Sequence, residues 1–370
     1  MKLPPFRLDR WLAQHEFASP AIRYNLAAST GPGWTLAELL ALGGEAAREE
    51  LGSIRLSYAP PEGSRFLRER IAALYDVDPD WVVVTTGAAE GLWAFFCSVA
   101  EREASVALPF PVFPAMPVVA QAFGLKVRSY VLDRGSGFAQ TAEQVLSAVD
   151  ETTRLALVNT PHNPTGSVME HAELARLAGA LRARGVVLLV DEVYHPLYFG
   201  ARRPSAAKIE NAVVISDFSK ALSLAGLRLG WIIERDAKRR EQLIDLRSYF
   251  TISSSPLTEA LGAHALAHAD EVLARLGEVA RANLASLERF MDEHRDRIGW
   301  APPQGGTVSF PWWLDGRDSR PMCQALAREG VLIVPGDCFD APEHFRVGLV
   351  AEAAGFSDAL DIARRVLTRG

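Results

Sequence analysis

The stretch Ser216–Trp231 reads SDFSKALSLAGLRLGW and is the best single feature of the sequence. Lys220 closely follows an apolar run that predicts a strand, and Arg228 comes eight residues later within Gly-Leu-Arg-Leu-Gly. A lysine at the end of a buried strand points into a cleft, where a partly desolvated amine can react with carbonyl groups. Taken alone, the stretch is better explained by an exposed loop, so the rest of the chain has to decide.

Short apolar runs alternate with helical patterns through the middle of the chain. The seven runs are Trp81–Thr86, Ser105–Leu108, Val127–Leu132, Leu155–Asn159, Val186–Asp191, Val213–Ser216 and Leu229–Glu234. Several are nearly continuous in Val, Leu and Ile, which is typical of strands buried on both faces of a parallel sheet. Repeated strand–helix units predict an α/β domain with its ligand beyond the carboxyl ends of the strands.

The pattern of predicted helices and strands changes after Pro256. Residues 257–297 predict one long helix or a broken pair, followed by a Trp- and Phe-rich strand over 307–314, a helix over 320–328 and short strands. This pattern indicates a smaller α+β unit. We therefore predict three regions: residues 1–45 as an arm and part of the small domain, 46–256 as the large domain, and 257–370 as the small domain.

Composition narrows the class of protein. The 370 residues are 49% hydrophobic and 23% charged, with a net charge of −6, which argues against disorder and gives no basic footprint for nucleic acid. Three cysteines with no Cys-x-x-Cys spacing and eight histidines without ligand spacing predict neither disulfides nor a metal site. The sequence shows neither a signal peptide nor a membrane span, so we expect a cytoplasmic protein.

Four further segments occur in a fixed order around the lysine. VVVTTGAAEGL (82–92) is a strand, a glycine turn and a helix start, where backbone N–H groups can hold a phosphate. LVNTPHNPTG (157–166) ends a strand in an Asn-Pro turn, VVLLVDEVYHPLYF (186–199) ends a strand in an aspartate, and FRVGLV (345–350) carries a late arginine. Each segment alone is a weak signal, but their order and spacing together are a strong one.

Together these segments resemble the class I/II aminotransferase family, which are fold type I enzymes dependent on pyridoxal 5′-phosphate, over about residues 25–365. The resemblance implies a large, mostly parallel seven-stranded sheet domain with a smaller α+β domain. It implies that Lys220 forms the Schiff base with the cofactor aldehyde and that Asp191 pairs with the pyridine nitrogen. A buried carboxylate there keeps the ring protonated as an electron sink. No metal is implied.

The resemblance assigns further roles, each to a residue of this sequence. The implied cofactor-binding set is Tyr58, Gly87, Ala88, Ala89, Phe110, Asn163, Asp191, Tyr194, Ser219, Lys220 and Arg228. Phe110 is expected over one ring face and Val193 against the other. The substrate-binding set is Arg346, Asn163 and Ala28, with Arg346 holding the α-carboxylate through its planar fork. Lys220, Asp191 and Tyr194 form the implied catalytic set.

The resemblance also implies partners. Amino acids and 2-oxo acids are the expected substrates, and no nucleic acid or membrane is expected. Tyr58 matches a tyrosine that reaches the phosphate of the neighbouring subunit, so a homodimer with shared active sites is expected. A surface tyrosine in a proline-rich turn is the competing interpretation of Tyr58.

Two positions depart from the family pattern. Asp217, three residues before the lysine, stands where a phosphate-binding Ser or Thr is usual. Because a carboxylate would repel a phosphate, we expect Asp217 to point away, with Ser219 or, second, Ser216 supplying the hydroxyl. Phe110 replaces a more usual Tyr or Trp and so offers no polar tip.

Two alternatives stay open. One is another carbanion reaction on the same scaffold, by a C–S lyase or by a cyclase similar to capreomycidine synthase, whose N-terminal sequence the stretch Leu8–Phe17 (LDRWLAQHEF) resembles faintly. The other is a non-catalytic regulator built on this fold. The retained lysine with its partner residues argues against a regulator. Regulators of that kind are expected to carry a DNA-binding domain before the aminotransferase-like part, and only about 25 residues precede the resemblance in this sequence.

Overall fold

The N-terminal segment is an arm that docks on the C-terminal part of the chain. In the computed structural model, which describes residues 3–17, 19 and 21–369, the arm contains α1 (Arg7–Glu16), β1 (Tyr24–Asn25), α2 (Leu36–Ala41) and α3 (Gly44–Gly52). Trp11 of α1 is buried, and its indole Nε1 donates to the carbonyl of Ile333 at 2.9 Å. β1 pairs in parallel with the strand Val331–Leu332. The arm is thereby fixed to the C-terminal part of the chain.

The described middle of the chain forms a sheet covered by helices. Its strands are β2 (Val82–Thr85), β3 (Ser105–Phe110), β4 (Lys126–Val131), β5 (Thr153–Asn159), β6 (Val187–Asp191), β7 (Ala212–Asp217) and β8 (Gly230–Ile233). Its helices are α4 (Arg65–Tyr75), α5 (Ala88–Ser98), α6 (Ala115–Ala122), α7 (Ala142–Ser147), α8 (His171–Arg182) and α9 (Ala237–Phe250). Each strand corresponds to one of the seven predicted runs, so the predicted α/β class is confirmed.

The strand order is β2-β8-β7-β6-β5-β3-β4. β8 is antiparallel to both of its neighbours and the remaining pairs are parallel. The carboxyl ends of β5, β6 and β7 therefore meet at one edge and place Asn159, Asp191 and Asp217 there. A ligand of an open α/β sheet binds at this edge.

Apolar side chains cover both faces of the sheet because strand residues alternate between them. Val84 and Val214 belong to the buried cluster on one face, and Val83 and Ile215 belong to the cluster on the other. Burying each such side chain contributes about 1.5–3 kcal/mol, so the sheet is a rigid platform for the residues at its edge. Among the described residues, no helix combines the length and the apolar character needed to cross a membrane.

The C-terminal part is smaller and mixed. Its elements are α10 (Pro256–Ala267), α11 (Ala269–Glu293), β9 (Ile298–Gly299), β10 (Val308–Ser309), β11 (Trp312–Trp313), α12 (Arg320–Arg328), β12 (Val331–Leu332), β13 (Val334–Pro335), β14 (Phe345–Gly348) and α13 (Ala353–Arg369). The predicted long helix is a broken pair, interrupted at His268. The predicted strand over 307–314 is divided, because β10 pairs with β14 whereas β11 pairs with β9. The domain limits at 45/46 and 256/257 stay predictions.

Candidate active site

A cavity of about 910 Å³ lies at the carboxyl edge of the central sheet. Its walls come from the ends of β5, β6 and β7, the start of α5, the loop after β7, the arm and β14. The predicted site residues that line it are Ala28, Ala88, Ala89, Asn163, Asp191, Val193, Tyr194, Ser219, Lys220, Arg228 and Arg346. The fold thus brings together side chains from segments more than 300 residues apart.

Lys220 and Asp191 form the charged centre of the cavity. Lys220 Nζ donates to Ser29 Oγ at 3.0 Å, and the Ser29 carbonyl accepts from Thr307 Oγ1 at 3.0 Å. Asp191 ends β6 and its Oδ1 accepts from the backbone N–H of Val193 at 3.1 Å. Burial raises the pKa of Asp191 to about 7, while the positive charge of Lys220 acts in the opposite direction. The two side chains are therefore close enough to interact electrostatically.

Arg346 is a buried guanidinium with a free donor. Its Nη1 donates to Asn163 Oδ1 at 3.1 Å and its Nη2 to the carbonyl of Ala27 at 2.8 Å. The side chain is only 2% exposed, and Nε has no hydrogen-bond partner among the described residues. Burial lowers the pKa of Arg346. Burying a cation with an unsatisfied donor raises the free energy of the folded chain unless an anionic ligand accepts from that donor.

Tyr194 also carries an unused polar atom. The residue is completely buried, and Oη lacks a partner in the described part of the chain. Its ring is held by close packing, since a Cβ on Gly306 would lie 3.2 Å from the ring Cγ. Buried hydroxyls are nearly always hydrogen-bonded in native structures. Tyr194 Oη and Arg346 Nε, on residues that both line this cavity, therefore indicate a polar ligand.

An anion cradle is built where β8 meets the start of α5. Gly87 precedes α5 with φ of 77°, and a Cβ on it would lie 3.1 Å from Arg228 Nη2. A Cβ on Gly230 would lie 2.5 Å from the Gly87 carbonyl carbon and 2.7 Å from the Ala88 nitrogen. Glycines are needed here for close approach. A helix N-terminus beside an arginine favours a phosphate dianion.

The aromatic side chain that lines the cavity comes from the loop after β3. Phe110 does not line the cavity; it is still part of β3, where it pairs with Val131 of β4, and its carbonyl accepts from Leu132. Phe113, in the loop after the strand, does line the cavity and stacks edge-on against Phe6. β3 extends two residues beyond the predicted end at Leu108, which keeps Phe110 in the strand, and its role over the cofactor ring stays a prediction.

Asp217 lies in the wall of the cavity, and its Oδ1 accepts from the backbone N–H of Ser219 at 2.8 Å. Ser216, the second candidate for a phosphate hydroxyl, donates from Oγ to the carbonyl of Glu192 at 3.1 Å and is not among the lining residues. Ser219 lines the cavity. Tyr58 lies outside the cavity and is 80% exposed.

Sequence reasoning missed the wall formed by α1. Leu8, Asp9, Leu12 and Glu16 lie on one side of the helix and line the cavity. Burial raises the pKa of Asp9, and the charge of Lys220 partly offsets that effect. The available signal was the spacing of Leu8, Trp11 and Leu12, which predicts an amphipathic helix but does not say what the helix covers.

The cavity fits pyridoxal 5′-phosphate. The cradle at α5 suits its phosphate, Asp191 suits a protonated ring nitrogen, the Lys220 amine suits its aldehyde, and Tyr194 offers a free hydroxyl. Among the described residues, no group of three or more His, Cys, Asp or Glu side chains is arranged to hold a metal ion.

Comparison with known proteins identifies the family. The pattern of aminotransferase class I and II matches residues 33–359. Capreomycidine synthase of Streptomyces vinaceus is 29% identical over 94% of this chain and 89% of its own length. Valine–pyruvate aminotransferase of Mycobacterium tuberculosis is 33% identical over 84% of this chain and 83% of its own. A PLP-dependent aminotransferase from Streptococcus suis has a similar structure, with a TM-score of 0.92 and 28% identity over 100% of this chain and 99% of its own. This chain belongs to the class I and II aminotransferase family of pyridoxal 5′-phosphate-dependent enzymes.

Proposed function

We propose that the chain performs its aminotransferase reaction, between an L-amino acid and a 2-oxo acid, with Lys220 as the proton-carrying residue. The observation that carries this proposal is the placement of the Lys220 amine in one cavity with Asp191 and with the unused donors of Tyr194 and Arg346. Bound pyridoxal 5′-phosphate supplies the electron sink that makes the Cα proton of an amino acid acidic.

The substrate end of the proposed site is Arg346. Its fork-shaped guanidinium matches a planar carboxylate, and two charge-assisted hydrogen bonds fix the orientation of Cα. With the carboxylate held, Lys220 Nζ is the group that accepts the Cα proton and later returns a proton, as base and then acid. Ser29, which accepts from Nζ in the cofactor-free chain, gives this amine a defined position.

The cofactor end of the proposed site uses the cradle and the sheet edge. Arg228 with the N–H groups of Ala88 and Ala89 would hold the phosphate. Asp191 would keep the ring nitrogen protonated, and the Tyr194 hydroxyl would donate to the ring oxygen. Asn163 already accepts from Arg346 through Oδ1, which leaves its amide N–H₂ as a donor for the same region.

The α1 wall favours a cationic substrate side chain. Asp9 and Glu16 line the cavity, and neither forms an ion pair with any other described residue. The neighbouring Leu8 and Leu12 give the same wall an apolar surface. An aliphatic stem that ends in an ammonium or guanidinium group complements this combination.

A cyclase or lyase on the same scaffold is the second candidate. It is favoured by the likeness to capreomycidine synthase, which extends over 94% of this chain. The distinguishing measurement is whether the substrate amino group is transferred to the cofactor. A transaminase converts the cofactor to its amine form and needs a 2-oxo acid to turn over, whereas a lyase or cyclase turns over without one.

The experiment that tests the proposed function is a single-turnover absorbance screen. The cofactor-loaded protein is mixed with a panel of L-amino acids, and the loss of the visible absorbance band of the bound cofactor is followed. Lys220→Ala is expected to lose about 10²–10⁴-fold or more in rate while keeping the wild-type circular dichroism spectrum. Transamination by Lys220→Ala at the wild-type rate would refute the assignment.

We also infer a homodimer in a reducing, cytoplasmic setting. Exposed apolar side chains occur next to Tyr58, at Leu56, and around the end of α9, at Tyr249, Phe250 and Ile252. Phe250 contacts Trp93 of α5, the helix whose start lines the cavity, so the second group lies near the site. The three cysteines are free, as expected for a reducing compartment. Light scattering tests the dimer, and activity regained on mixing Tyr58→Ala with Lys220→Ala tests a shared site.

A further inference from the structure

Asp217 is a carboxylate placed beside the anion cradle. It ends β7 and pairs in register with Gly230 of β8. Gly230 in turn packs directly against Gly87 and Ala88 at the start of α5, as the 2.5 Å and 2.7 Å distances from its ideal Cβ indicate. The strand end that carries Asp217 therefore reaches the same corner of the cavity as the cradle.

The surroundings of Asp217 leave its charge without a compensating cation. The residue is 8% exposed and lines the cavity. One oxygen accepts from the backbone N–H of Ser219 at 2.8 Å, and no described lysine or arginine forms an ion pair with the carboxylate. The charge of Asp217 also contributes to the raised pKa of Asp191, after the larger effect of burial. The field of Asp217 thus extends across the cavity.

Negative charge at this corner opposes a phosphate dianion. The cradle attracts the phosphate through the α5 N-terminus and Arg228. A carboxylate in the same corner repels it, and such like-charge pairs are strongly unfavourable where solvent is partly excluded. The field of Asp217 also reaches Asp191, beside which the ring would lie. Pyridoxal and pyridoxal 5′-phosphate share the ring and the aldehyde, so an effect there is common to both forms and only the effect on the phosphate differs between them.

We propose that Asp217 lowers the affinity of the chain for the phosphate group of pyridoxal 5′-phosphate, so that this enzyme distinguishes the phosphorylated cofactor from pyridoxal less strongly than the same site with a neutral residue 217. The proposal rests on the proposed position of the phosphate at Arg228 and α5. Asp217 acts here on cofactor retention, and no step of the reaction passes through it.

The test compares two cofactor forms that differ only in the phosphate. Cofactor-free protein is titrated with pyridoxal 5′-phosphate and with pyridoxal, and each Kd is measured by tryptophan fluorescence and by calorimetry. The ratio of the pyridoxal Kd to the pyridoxal phosphate Kd isolates the contribution of the phosphate. Asp217→Asn and Asp217→Ser are expected to raise this ratio at least about tenfold, which corresponds to about 1.4 kcal/mol. Asp217→Asn keeps an acceptor for the Ser219 N–H, so its fold is preserved.

Two control variants make the outcome decisive. Arg228→Gln is expected to lower the ratio, and Asp78→Asn, which removes an exposed carboxylate in the turn before β2, is expected to leave it unchanged. If Arg228→Gln lowers the ratio while both Asp217 variants leave it unchanged or lower it, the proposal for Asp217 is overturned and the position of the phosphate stands. If Arg228→Gln has no effect on the ratio, the proposed phosphate position fails and the proposal for Asp217 fails with it.

Discussion

Replacing Asp191 by Asn removes a buried titrating group while keeping its shape. The amide oxygen can still accept from the Val193 N–H, as Oδ1 does in the wild type at 3.1 Å. The exchange therefore changes charge and leaves the packing at the end of β6 intact.

The size of the effect follows from burial. Burial raises the pKa of Asp191 from its ordinary 3.8 to about 7 in the cofactor-free chain. Between these values the folded chain keeps a proton that the unfolded chain has released. The free energy of unfolding therefore falls with rising pH, by up to about 1.4 kcal/mol per pH unit from this group. From pH 5 to pH 7 the expected loss is up to about 3 kcal/mol.

The assay is urea unfolding of cofactor-free wild type and Asp191→Asn between pH 5 and pH 8. The stability of the variant relative to wild type should rise with pH by about 2–3 kcal/mol. Glu192, whose pKa burial also raises to about 7, is present in both proteins and largely cancels in the difference. The exposed Asp78→Asn serves as control and should show no such trend.

Parallel pH profiles for wild type and Asp191→Asn would refute the reasoning, because they would mean that Asp191 is charged in the folded chain across this range. A second set of unfolding measurements is made with saturating pyridoxal 5′-phosphate. The wild-type profile should then flatten, since a protonated ring nitrogen beside Asp191 would stabilise the charged carboxylate.

Three further outcomes are expected. Arg346→Gln should lower kcat/KM for the amino acid by about 10²–10⁴-fold, because two charge-assisted hydrogen bonds at about 1.5–3 kcal/mol each are lost; an unchanged value would contradict the carboxylate assignment. Gly230→Ala should weaken pyridoxal 5′-phosphate binding and lower Tm, since its Cβ would lie 2.7 Å from the Ala88 nitrogen. The control Gly179→Ala, whose Cβ would contact no other atom, should raise the free energy of unfolding by about 0.5–1 kcal/mol. Asp9→Asn should reduce any preference for L-arginine over the isosteric, neutral L-citrulline in the absorbance screen, and equal rates for the two amino acids in the wild type would contradict a cationic substrate.

Much of the fold follows from local sequence. Apart from the edge strand β4, whose residues are mostly exposed, the apolar runs that predicted the strands are buried on both faces, so the sheet itself explains their pattern. The polar residues that end these runs, such as Asn159 and Asp191, come to one edge because parallel strands share a direction. This placement needs no knowledge of distant contacts, which is why the sheet edge could be anticipated.

The remaining parts of the site depend on contacts that local sequence does not encode. Whether Phe110 or Phe113 faces the cavity depends on where β3 ends, and the β4 partner Val131 determines that end. The direction of Asp217 is set by the Ser219 N–H and by Gly230 across the sheet. The cover formed by α1 depends on the docking of Trp11 near Ile333, 322 residues away.

The hydrogen bonds of Arg346 join three stretches of chain that are synthesised far apart in time. Its guanidinium donates to Ala27, 319 positions earlier, and to Asn163, 183 positions earlier. The last strand of the central sheet ends at Ile233, so every strand of that sheet precedes this cation in the chain. If Arg346 holds the substrate carboxylate as proposed, binding requires nearly the whole chain, and a fragment that ends before β14 would lack this side chain.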